Sequence, residues 1–147
     1  MKDILSVLIG GLLGAACLIG INEFVHAEDA KSTVDMTTEL KDQDNQPIKD
    51  EFERKGASDC SKCPDLTLGS AAAHALFFVG PDEKDVTPEQ KWAWSAWAME
   101  IRKNKAVKLT APESDLLYKR LGKLYGGIVL MRAMPLIDPN RKPPEIK

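Results

Sequence analysis

A chain of 147 residues has room for one domain, and 44% hydrophobic with 29% charged residues is the composition of a globular protein, not of a fibrous or wholly disordered one. The formal net charge of −2 hides a division: six Lys or Arg stand against eleven Asp or Glu over 36–87, and twelve against six over 88–147. The two halves are expected to neutralise each other first. With no Arg-rich helix face and no aromatics paired beside the positive charge, nucleic-acid binding through the basic half is the weakest partner reading.

The first 27 residues read as a signal peptide or a membrane anchor. Ile4 to Ile21 contains nothing more polar than Ser6 and the glycines, and eighteen helical residues rise about 27 Å, near the thickness of a bilayer core. Val25-His26-Ala27 before Glu28-Asp29 has the small residues that a signal peptidase selects. Three readings stay open: a cleaved export signal, an uncleaved inner-membrane anchor through residues 4–21, and an upstream extension of a cytoplasmic product that starts at Met36.

Residues 28–65 read as an acidic arm of low order. The turn formers between Lys41 and Pro47 suggest a short hairpin, with Leu40 and Ile48 pinned to the helices, but the apolar supply is too small for a second core. Cys60-Ser-Lys-Cys63 is the one feature of this stretch that suggests chemistry. Two thiolates at this spacing converge on one zinc ion, with His74 as the third donor, yet a structural zinc site wants four ligands and the chain offers no second pair of cysteines. A dithiol–disulfide couple needs a helix start or a cation to ionise one thiol; Lys62 supplies a weak one, and Pro64 follows where a helix is wanted. In an exported chain a plain disulfide is the simplest outcome, and in a cytoplasmic one two idle thiols.

The helical domain is placed at 66–137. A first helix is predicted from Leu68 to about Val79, capped by Thr67, carrying three consecutive alanines and closed by Gly80-Pro81. His74 on this apolar helix is expected to be packed and hydrogen-bonded. A second helix starts with Thr87 as cap, Pro88 in the first turn and Gln90 completing a capping box. Trp92, Trp94 and Trp97 load it with more aromatic surface than one face holds, so at least one is expected at the rim, where it serves an interface or, less simply, a ligand platform. Lys103 to Lys108 reads as a polar, basic hinge. A third helix opens on Thr110 with Glu113 in a second capping box. Leu116, Leu117, Leu121 and Leu124 form its predicted buried side, Lys119, Arg120 and Lys123 its outer side, and Tyr118 and Tyr125 flank the seam. Gly126-Gly127 breaks this helix; a short fourth runs from Ile128 to Met134 and stops at Pro135. The Pro-rich, charged residues 138–147 read as a tail.

The predicted fold is therefore mainly α, a small bundle of three main helices and one short one behind an acidic N-terminal arm. Gly122-Lys-Leu-Tyr-Gly-Gly lacks the spacing and hydroxyl of a phosphate loop, and no serine stands in a nucleophile elbow. The order of Leu40-Lys-Asp-Gln-Asp-Asn-Gln-Pro-Ile48, Leu66 to Leu76 and Leu121 to Val129 resembles small helical proteins encoded by bacteriophages and prophages, over roughly 36–138. That resemblance implies no activity to carry over. The reading favoured is a non-enzymatic interaction or adaptor protein that binds a protein partner or itself, as a homodimer, through Trp92, Trp94, Trp97, Tyr118 and Tyr125, with no cofactor. The alternatives are a small thiol–disulfide or zinc protein organised by Cys60, Cys63 and His74, and a nucleic-acid accessory protein.

Overall fold

The computed structural model describes residues 32–54, 59–80 and 83–142; the apolar leader and the end of the charged tail lie outside the described residues. In chain order the elements are strand β1 (Ser32–Asp35), a single 3-10 turn (Glu51–Glu53), helices α1 (Leu68–Phe77) and α2 (Pro88–Lys103), strand β2 (Ala106–Leu109), and helices α3 (Ala111–Leu124) and α4 (Gly127–Ile137). The fold is mainly helical, as the periodicity predicts. No helix among the described residues is long and apolar enough to cross a membrane.

α1 is the centre. Leu68, its four alanines and Leu76 are all buried, because alanine side chains let α2 and α3 pack close on either side. Thr67 caps α1 by accepting from the Ser70 amide, and the capping boxes of α2 and α3 form with both of their reciprocal bonds. α2 turns Trp94, Trp97, Ala98 and Ile101 inward, and α3 sends Leu117 and Leu121 into full burial. Burial of each leucine contributes roughly 1.5–3 kcal/mol. Leu116 and Leu124 are only half-buried.

Four expectations are corrected. The polar hinge after α2 holds a strand: β2 pairs antiparallel with β1, Val34 opposite Val107 and Ser32 opposite Leu109, so Val34 and Leu109 are covered while Lys108 points out. Arg120, predicted on the outer side of α3, is 2% exposed. Pro135 does not stop α4, which runs on to the fully buried Ile137. The proline leaves the Met131 carbonyl without its helical donor, and Met131 and Pro135 both lie on the exposed side of α4.

The fourth correction concerns the acidic arm, which is packed. Leu40 donates to the Leu66 carbonyl and accepts from Ile48, and Leu66 donates to the Ile48 carbonyl, so the arm's short hairpin lies against the segment leading into α1. Its tip is tied by the Asp42 carboxylate, which accepts from the Asp44 and Gln46 amides, with Asn45 at φ 62°. Val34, Met36 and Leu40 enter the helical core. The arm needs few apolar residues because it completes an existing core and does not build its own. Gly69 is required at the crossing: its amide bonds the Met36 carbonyl at 2.9 Å, and a Cβ there would stand 2.9 Å from that same oxygen.

Candidate functional site

Two features of the surface and interior stand out, an uncovered helix face and a buried acid–histidine cluster. On α2, Glu89, Trp92, Ala96, Met99 and Lys103 recur at intervals of three and four and are all exposed, the Trp92 side by 76% and Met99 by 53%. This row lies opposite the inward row of Trp94, Trp97 and Ile101, because residues two apart on a helix diverge by about 200°. α4 carries a second exposed apolar set, Ile128, Met131 and Leu136.

The cluster is assembled where the arm crosses α1 and the end of α3. Asp50 sits at the start of the 3-10 turn, its amide bonded to the Pro64 carbonyl and one carboxylate oxygen accepting from the Phe52 amide. It is 1% exposed, and its Oδ2 is buried with no hydrogen-bond partner among the described residues. His74 reaches it from α1: Nδ1 is 3.6 Å from Asp50 Oδ1 and 3.2 Å from the Tyr125 hydroxyl, while Nε2 is 3.8 Å from Glu53 Oε1. The Phe52 ring covers the imidazole at a centroid distance of 4.8 Å. Burial, and then the Asp50 carboxylate, push the Tyr125 phenol well above its ordinary range, so it stays protonated. Glu53 is paired with Arg102 from the end of α2.

Beside this cluster opens a pocket of about 660 Å³, bordered by Asp50, Glu53, Cys63, Thr67, Ser70 and Arg102. Cys63 at its border is bonded to Cys60, whose sulfur is 3.9 Å from the Asp50 carbonyl oxygen. The rim carries both signs, Arg54 and Lys62 against Asp59 and Asp65.

A separate buried ion pair holds the far ends of α1 and α3 together. Arg120 donates to the Ala75 carbonyl and to Glu83, with its guanidinium 4.5 Å from the Trp94 ring centroid. Glu83 also accepts from Lys123 and from the Gly80 amide. Burial raises the Glu83 carboxyl, but the bonds from Lys123, Arg120 and Gly80 outweigh it and hold the group at about 2.

Of the residues singled out from sequence, only Trp92 presents its ring to solvent. Trp94 is a bed for Arg120, Trp97 packs on the core, Tyr118 lies under the Arg141 guanidinium at 3.9 Å, and Tyr125 faces His74. The zinc set Cys60, Cys63 and His74 is not assembled, because the sulfurs are bonded to each other and His74 turns to the carboxylates. Several cations of the basic half are paired, Arg102 with Glu53, Lys119 and Arg141 with Asp115, and Lys123 with Glu83. Sequence reading missed Asp50 and Glu53; the one signal was an acidic pair flanking Phe52 in an otherwise turn-like segment. No protein-family model, curated protein or solved structure matches the chain.

Proposed function

We propose that the protein is a helical interaction protein that self-associates through the outward face of α2. The observation that carries this reading is the row Glu89–Trp92–Ala96–Met99–Lys103, exposed along its whole length. The row is self-complementary. Two copies crossing antiparallel at Ala96 set Trp92 of each against Met99 of the other, a favourable sulfur–aromatic contact, and bring Glu89 opposite Lys103 at both ends. The small residue at the crossing point lets the helix backbones approach, and large residues on either side fix the register. The Cys60–Cys63 disulfide supports an oxidising compartment, hence the exported or membrane-anchored reading of the leader.

Sedimentation of the full chain tests it. Wild type is expected to be dimeric at micromolar concentration and Trp92→Glu monomeric, with helical content unchanged because Trp92 makes no part of the core. Met131→Glu on the exposed side of α4 is expected to leave the dimer intact. A wild-type chain that stays monomeric at hundreds of micromolar would end the reading, as would a dimer broken by Met131→Glu and not by Trp92→Glu.

A further inference from the structure

The geometry points to a second capacity, independent of the α2 face: we propose that Asp50, Glu53 and His74 bind a divalent transition-metal ion. One imidazole nitrogen and one oxygen from each carboxylate lie within 4.8 Å of one another. A single ion bonded tetrahedrally to three such donors at about 2.0–2.2 Å brings them to about 3.3–3.6 Å apart, so the trio closes by about 1.5 Å at most on loading. The mixed nitrogen–oxygen set suits zinc, manganese or iron(II), and is a poor match to calcium or magnesium, which take oxygen donors alone.

Proximity alone would be weak support, since carboxylates gather near histidines in many folds. The independent observation is Asp50 Oδ2, a fully buried oxygen with no donor among the described residues. A buried, unpaired carboxylate oxygen is costly, and the chain retains it beside an imidazole in a pre-shaped pocket. The outer groups fit the same role. Tyr125 bonds one ring nitrogen and fixes the orientation of the imidazole, as partners of metal-bound histidines do. Backbone bonds to Pro64 and the adjacent disulfide loop hold Asp50 in place without using Oδ2.

Arg102 competes with an ion for Glu53. Its guanidinium occupies Glu53 and supplies positive charge from an exposed helix end. Metal binding must displace it, which costs little because the pair is partly exposed to solvent. Arg102 is therefore a competitor of the ion, and its removal strengthens binding. A purely structural Asp–His–Glu cluster predicts no such gain.

The test is titration of the full-length chain, freed of metal by chelation, with Zn²⁺ by calorimetry and with Mn²⁺ by NMR broadening of the His74 ring. The expected result is one saturable Zn²⁺ per chain, broadening of His74, and binding weakened by about tenfold or more in Glu53→Gln. Arg102→Gln is expected to bind several-fold tighter. Glu53 lies on a surface 3-10 turn, so its variant keeps the fold, while Asp50→Asn serves as a second probe judged only if its circular dichroism is native. Absence of saturable binding up to about 1 mM Zn²⁺ would overturn the proposal. So would binding that Glu53→Gln leaves unchanged, or an Arg102→Gln chain that binds no tighter than wild type.

Discussion

Substitution of Glu83 by glutamine probes the most exacting electrostatic arrangement in the molecule. The change keeps the shape of the side chain and removes its charge, leaving the Arg120 cation buried against Ala75 and Trp94 with no counterion. Removing one partner of a buried pair costs about 3–5 kcal/mol. The carboxyl itself gives a second figure: a fall from 4.5 to about 2 corresponds to roughly 3 kcal/mol at 1.36 kcal/mol per unit. Water reaching the carboxylate along the half-exposed Lys123 reduces this to about 2 kcal/mol. Because the folded value is depressed, the stabilisation is complete above about pH 5 and is lost as pH falls toward 2, more than half of it by pH 3. Urea unfolding of wild type and Glu83→Gln at pH 7 and pH 3 measures both numbers, since other carboxylates cancel in the difference. The expected gap is about 2–3 kcal/mol at pH 7 and about 1 kcal/mol at pH 3. A gap that does not narrow in acid, or a variant as stable as wild type at neutral pH, would refute the assignment of Glu83 as the charge that makes Arg120 tolerable. In the double variant Glu83→Leu with Arg120→Leu, most of the loss is expected to return, because two apolar side chains need no mutual compensation.

Two further outcomes follow from the packing. Gly69→Ala is expected to lose about 1–3 kcal/mol in the same unfolding assay, because the new Cβ meets the Met36 carbonyl oxygen at 2.9 Å and neither backbone can yield without breaking their bond; an unchanged midpoint would mean that β1 is not held against α1. Reduction of the Cys60–Cys63 bond, which closes a loop of sequence separation 3, is expected to cost about 2 kcal/mol on the chain-entropy relation, read as a shift of melting temperature with reductant.

The helical skeleton was legible because its signals are local. Thr67, Thr87 and Thr110 stand within three residues of the amides they cap, and the glycine pair between α3 and α4 interrupts the helix by itself. Arg120 was half-legible. It stands three residues after Leu117 and next to Leu121, on the buried side by spacing alone, but its charge argued for solvent and its counterion is 37 residues away. Asp50 was not legible at all. Its burial depends on a hairpin, a disulfide loop and α1 meeting in space, and none of these marks an acidic residue in a turn-like stretch. The strands were hidden for the same reason: four residues of alternating polarity make a strand only when a partner is present, and β1 and β2 find each other across most of the domain. Among the aromatic residues, the sequence told that one face of α2 could not hold three tryptophans, and not which of them would be left outside.

That long-range strand pairing also sets an order of events during synthesis. About 70 residues separate Asp35 from Ala106, so at 5–20 residues per second β1 waits about 4–14 seconds after leaving the ribosome before its partner has been made. Throughout that interval Val34 and Met36 have neither β2 nor the finished helical core to cover them. A strand made early is thus among the last segments to be locked, and its apolar side chains stay uncovered throughout that time.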